Sequence, residues 1–163
     1  MPDDPPPVHG PPLPVDPDID LGYAPQRAEL AGSHGAILAV IAIGGALGAL
    51  ARYGLIRSLP TPPGGFPWMV LLINVIGSFL LGALMVVITE QRSAHPLLRP
   101  FLGVGVLGGF TTFSTYADDI RALLDTGAVL IGAAYLASTL FAAVAACALG
   151  VGLARRLGGG AAR

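Results

Sequence analysis

Charge is scarce in this chain of 163 residues: Asp, Glu, Lys and Arg together make up 12% of it, against roughly a quarter in an average soluble domain. So few charges cannot cover a globular surface, which excludes most soluble enzymes and nucleic-acid binders and points to a membrane protein. Cysteine is almost absent. The single Cys147 lies inside an apolar run without a partner, so there is neither a disulfide framework nor a thiolate metal cluster. The net charge of -1 argues for no partner of either sign. A Ser/His/Asp set, an HExxH motif and a phosphate-cradling loop are also missing, which leaves an intramembrane enzyme without its chemistry. The length fits one small membrane domain with no separate catalytic domain.

Proline, by contrast, is concentrated. Nine of the 15 prolines fall between Pro2 and Pro25, together with five of the ten acidic residues. Missing backbone donors and low hydrophobicity predict a disordered, partly polyproline tail over residues 1–33, expected on the cytoplasmic side. The tail has neither a basic start nor an apolar h-region, so it does not read as a signal peptide.

The remainder is four apolar runs, expected as helices at about 35–57, 66–90, 97–122 and 127–154, within a membrane domain over 34–157 and before a flexible C-terminus at 158–163. Each run reaches about 20 residues, enough to cross a roughly 30 Å hydrocarbon core at 1.5 Å per residue. Strand-like alternation is absent, so a β-barrel is excluded. The fold class is therefore all-α integral membrane with four transmembrane helices. Gly44, Gly45 and Gly48 in the first run, and Gly77, Ser78 and Gly82 in the second, are small-residue spacings that let helix backbones approach closely.

Polar groups at membrane depth are costly and usually face a partner or a water-filled path. Arg52, one turn after Gly48, either snorkels to the interface or offers positive charge to an anion or a neighbour. Asn74 lies deep in the second run, where its amide can donate two hydrogen bonds, to another helix or to a ligand. The third run is the most informative. Gly103, Gly105, Gly108 and Gly109 precede Thr111, Thr112, Ser114 and Thr115, and the adjacent glycines with flanking threonines invite a broken helix. Freed carbonyls suit a hard cation, while freed N–H groups and hydroxyls suit an anion. Phe113 and Tyr116 share a helical face, either as ordinary packing or as positive ring edges along an anion path. Tyr135, Ser138 and Thr139 put hydroxyls within one turn of the fourth run, on the same path or bonded back to their own helix. Inside their ends, the second run to Thr89 and the fourth to Leu153 hold no Asp, Glu, Lys, Arg or His, and the first, to Leu55, holds only Arg52. Without an intramembrane carboxylate or His, passive conduction is favoured over proton-coupled exchange.

With these residues in hand, the chain resembles the CrcB/Fluc family of fluoride channels over about residues 35–157. The resemblance rests on Gly44 to Tyr53, on Asn74-Val75-Ile76-Gly77-Ser78-Phe79 with Gly82, and on Gly108-Gly109-Phe110-Thr111-Thr112-Phe113-Ser114-Thr115. It implies an antiparallel, dual-topology dimer with two fluoride pores, each built from both subunits. It also implies a structural sodium ion on the dyad, held by the backbone carbonyls of Gly108 and Thr111. By the same resemblance the pore asparagine is Asn74, the first pore phenylalanine Phe113, and the vestibule arginine Arg52. Ser114 and Thr115 supply pore hydroxyls, as does Ser138 or Thr139. One position departs: Tyr116 stands where the family usually has a second phenylalanine, keeping the ring and adding a hydroxyl.

The expected function is passive export of fluoride across the cell (plasma) membrane, giving fluoride resistance, with sodium as the structural ion and fluoride and the lipid bilayer as partners. No nucleic acid is expected. Charge placement bears on assembly. Arg27, Arg92, Arg99, Arg155, Arg156 and Arg163 lie on one side, against Arg57 and Arg121 on the other, so both termini are expected in the cytoplasm. That bias favours one fixed orientation, and hence a heterodimer with an oppositely inserted paralogue over a homodimer. The rivals are a small four-helix proton-coupled drug exporter, which lacks its membrane-embedded Glu here, and a non-conducting membrane scaffold.

Overall fold

The computed structural model describes residues 24–90 and 97–159, all helix or short connection. Helix α1 runs Ala24–Ser58, α2 Trp68–Glu90 and α5 Val129–Gly159. Each contains an apolar stretch, Gly35–Ser58, Trp68–Thr89 and Val129–Gly158, long enough to cross a membrane. Between α2 and α5 lies a segmented helix. A π-helix, Arg99–Leu107, passes into a single α-turn, α3 (Gly108–Phe110), and after a break the chain resumes as α4 (Ser114–Asp125). The 12 residues of α4 rise only about 18 Å, half a crossing.

These boundaries correct two expectations. Residues 24–33, read from sequence as tail, begin α1, and α5 reaches Gly159 beyond the expected end near 154. The polyproline reading of residues 1–23 and the flexible end at 160–163 lie outside the described residues.

Local chemistry sets the ends. Pro60, Pro62 and Pro63 cannot continue α1, and Gly64, at φ +71°, turns the chain so that Gly65 N–H reaches the Pro62 carbonyl at 2.9 Å. Helix α4 closes on Gly127 at φ +77°. The Ala128 N–H bonds the Leu123 carbonyl at 2.8 Å and the Gly127 N–H the Leu124 carbonyl at 3.0 Å, the paired pattern of a Schellman cap.

Small residues decide the packing within residues 36–163. A methyl group at Gly48 would overlap the Val106 carbonyl oxygen, and one at Gly109 the Gly45 carbonyl oxygen, so α1 lies backbone to backbone against the π-helix and α3. Gly82 against the Cys147 carbonyl, and Gly150 against that of Phe79, draw α2 and α5 together in the same way. Apolar burial is concentrated where α2, α4 and α5 meet, in a cluster of Val70, Leu123 and Tyr135. Tyr135 is completely buried. The Phe66 ring meets it at 5.4 Å and 80°, an edge-to-face contact.

Candidate functional site

The site is built around Asn74. Its side chain makes two bonds to one residue across the bundle: Nδ2–H donates to the Thr112 carbonyl at 3.0 Å, and Oδ1 accepts the Thr112 N–H at 2.9 Å. In an unbroken helix that N–H would donate to the Gly108 carbonyl. The amide therefore takes both backbone groups that would have carried the helix through this point. Thr111 responds with φ -76° and ψ 156°, an extended residue.

The adjacent glycines with their flanking threonines were expected to break the helix, and the interruption falls on the threonine side, at residues 111–113. Gly105 and Gly109 pack against the α1 backbone, while the capturing amide interrupts the ladder. Its two ends are capped differently. Arg52 Nε donates to the Gly109 carbonyl at 3.1 Å, placing a cation at the carbonyl end of α3. Thr112 Oγ1 accepts the Thr115 N–H at 3.2 Å and so caps the start of α4. It also donates to Thr115 Oγ1 at 3.1 Å and lies 3.3 Å from Ser114 Oγ. Among the described residues, no hydrogen bond reaches the carbonyls of Gly108 or Thr111. Uncommitted carbonyl oxygens of this kind are the donors a hard cation takes.

Beside the break lies a groove of about 900 Å³, walled by α2, the segmented helix and α5. Asn74, Gly108, Thr111, Phe113, Tyr116 and Thr139 all line it. The Phe113 ring is 78% exposed and lies 5.8 Å from the Tyr116 ring at 53°. Tyr116 in turn lies 5.2 Å from Tyr135 and donates its hydroxyl to the Leu136 carbonyl at 3.0 Å. The added hydroxyl of Tyr116 therefore has a partner.

Other residues singled out from sequence lie elsewhere. Arg52 acts on the backbone of α3 and is not part of the groove wall. Thr115 lines a second cavity, of about 500 Å³, with Arg57 and Asp119. Ser114 joins only the hydroxyl cluster at the start of α4. Ser138 bonds back to the Tyr135 carbonyl at 3.2 Å; Thr139 is the residue of that pair that faces the groove.

Three features were not singled out as site residues from sequence. Thr112 is the pivot of the break. Ser78, read only as a packing residue, lines the groove. Tyr135 donates to Asp119 Oδ2 at 3.3 Å, tying α5 to α4. The Thr111-Thr112 pair beside an intramembrane amide was the available signal for the first; spacing marked Ser78 for packing and Tyr135 as a hydroxyl near Ser138 and Thr139, but not the bond to Asp119.

Comparison with known proteins agrees with this geometry. Residues 39–151 match the family model described as CrcB-like protein, Camphor Resistance (CrcB). The chain is 56% identical over 128 residues to "Fluoride-specific ion channel FluC 2" of Nocardia farcinica, covering 78% of this chain and 91% of that one. It is 54% identical over 121 residues to "Fluoride-specific ion channel FluC 1" of Streptomyces coelicolor, covering 74% and 79%. It is 39% identical over 121 residues to "Fluoride-specific ion channel FluC" of Agrobacterium fabrum, covering 74% and 97%. The apolar helices and these matches make it an all-α, multi-pass membrane protein. A break held open by a side-chain amide, within the stretch that the family model spans, completes the case: the chain belongs to the CrcB family.

Proposed function

We propose that this chain forms a fluoride-selective channel that exports fluoride passively across the cell membrane and gives fluoride resistance. The observation that carries the reading is the Asn74 clamp on Thr112, which opens the segmented helix beside two aromatic rings and a groove. Hydrogen fluoride is a neutral weak acid that crosses bilayers and ionises inside, so a leak for the trapped anion relieves the cell. Fluoride is small and strongly hydrated, and a selective path must replace its shell with close donors. Asn74, the hydroxyl of Thr139 and the ring edges of Phe113 and Tyr116 are the groups the groove offers, while Arg52, Ser114 and Thr115 stand outside it. No step requires a coupled proton or covalent chemistry, so the protein is a channel and not an enzyme.

In this reading four helices span the membrane, the third as two half-helices, and two oppositely oriented subunits close two pores between them. Each chain brings the Gly108 and Thr111 carbonyls to the dyad. Those of both chains would hold a sodium ion, whose role is to bind the two breaks together. The arginine bias favours an oppositely inserted paralogue as partner, with both termini of this chain in the cytoplasm. Curated relatives named FluC 2 and FluC 3 occur together in Streptomyces avermitilis, which supports paired paralogues as a workable arrangement.

The test is fluoride efflux from proteoliposomes containing this chain, alone and with a co-purified paralogue, with chloride as control. Fluoride-selective efflux in either preparation supports the channel, and efflux from the chain alone supports a homodimer. Silence in both leaves the scaffold reading.

A further inference from the structure

Two opposite charges share one cavity without meeting. Arg57 and Asp119 both line the second cavity, of about 500 Å³, yet they form no ion pair with each other, whereas the neighbouring Asp118 pairs with Arg121 at 3.7 Å. Asp119 is half-buried, and its carboxylate has one hydrogen bond, from the Tyr135 hydroxyl to Oδ2. A carboxylate drawn partly out of water calls for a cation or further N–H donors. Thr115, in the same wall, accepts the Thr112 O–H and keeps its own hydrogen to donate.

The cavity stands at one end of the bundle. Arg57 is in the last turn of α1 and Met69 in the first turn of α2. Asp119 is held at that level by Tyr135, whose ring meets Phe66 just ahead of α2. The apolar stretch of α1 ends at Ser58 and that of α2 begins at Trp68, so here a bilayer passes from hydrocarbon to headgroups. Ile56, Leu59, Met69 and Val70 give the cavity apolar walls. Leu59 is exposed, as is Trp68 beside Met69, an indole of the kind enriched at that boundary.

We propose that this cavity holds the headgroup of a phosphatidylethanolamine lipid. Arg57 and Thr115 donate to the phosphate, Asp119 accepts from the primary ammonium, and the acyl chains leave over Leu59 and Trp68. Charge complementarity selects this occupant. A guanidinium matches a phosphate, and the ammonium two carbons away supplies the cation that Asp119 lacks, so the lipid bridges the two separated charges. A choline headgroup has no N–H to give, and no aromatic ring lines the cavity to receive a quaternary ammonium instead. A glycerol headgroup would set Asp119 beside a phosphate with no cation between them. None of these lining residues lines the larger groove, so the site is independent of the fluoride reading.

The experiment is mass spectrometry of the intact full chain released from detergent, with dioleoyl phosphatidylethanolamine, phosphatidylcholine and phosphatidylglycerol offered at equal concentrations. Ethanolamine-lipid adducts are expected at about tenfold or more over choline-lipid adducts, the loss of one charge-assisted hydrogen bond. Asp119→Asn should abolish that preference, since its amide still accepts from Tyr135 but carries no charge. Arg57→Gln, at an exposed residue, should weaken adducts of all three lipids. Thermal melts check that both variants fold. Absence of adducts, equal ethanolamine and choline adducts, or an unchanged preference in Asp119→Asn each overturns the site. Preference for the glycerol lipid reduces it to a basic patch and also overturns it. Free phosphoethanolamine that binds as tightly as the lipid assigns the cavity to a soluble zwitterion and overturns the lipid.

Discussion

Replacing Asn74 by Asp tests the clamp and the path together. The carboxylate still accepts the Thr112 N–H, so the break is kept, but it cannot donate to the Thr112 carbonyl 3.0 Å away. One hydrogen bond is lost and two oxygens are left facing each other, which costs about 2–4 kcal/mol. The charge does more. A carboxylate at about 5 Å from a passing anion, at an effective dielectric near 20, adds about 3 kcal/mol of repulsion, a factor of over one hundred in rate. Asn74→Leu is the neutral companion. It removes both bonds, but the Thr112 N–H can return to the Gly108 carbonyl and heal the helix, so stability falls less than conduction. The assay is fluoride efflux from proteoliposomes beside thermal unfolding of the same preparations. Undiminished efflux in Asn74→Asp would refute the placement of this amide on the path. Undiminished efflux in Asn74→Leu would refute the claim that the break is needed.

Phe113→Ile should cut fluoride efflux at least tenfold with little change in thermal stability, because the ring is mostly exposed within the chain; parental efflux would remove the edge-lined path. Gly109→Ala drives a methyl into the Gly45 carbonyl and should cost about 1–3 kcal/mol, read as a lowered unfolding temperature, whereas Gly152→Ala, where space is open, should not. Arg52→Ala removes the donor to the Gly109 carbonyl and should cost about 1–3 kcal/mol, with Arg52→Gln recovering part of it in the same melt. Replacing sodium by a large organic cation should lower the melting temperature of the assembled channel; identical melts would remove the carbonyl-held ion.

Much of this was legible in the chain because membrane helices declare themselves by length and apolarity, and because an amide among aliphatic residues has few cheap solutions. The run that became α2 began two residues early, and the run that became α5 continued five residues past its expected end. The break was foreseen at the glycine pair with its flanking threonines and falls on the threonine side. Glycines suggested where a helix can yield, whereas its location depends on which backbone group Asn74 reaches, a relation across 38 residues that no local pattern contains. The π-helical start of that segment had no signal in the periodicity. The separation of Ser138 from Thr139 was likewise invisible, since two adjacent hydroxyls look alike until the helix phase is known. Arg52 was read with both a solvent-facing and a partner-facing outcome, and a backbone carbonyl proved to be its partner.

The clamp also dictates an order of events during biosynthesis. Alone, the stretch from Arg99 to Asp125 has no donor or acceptor to hold its ladder open, and hydrocarbon penalises every unsatisfied backbone group. In the proposed four-span arrangement, a continuous helix is the form in which that stretch satisfies its own backbone before α2 packs against it. Only after α2 has docked can the Asn74 amide exchange two hydrogen bonds of that helix for two of its own. In that arrangement the interruption is a product of tertiary assembly, since both hydrogen bonds that hold it open come from α2.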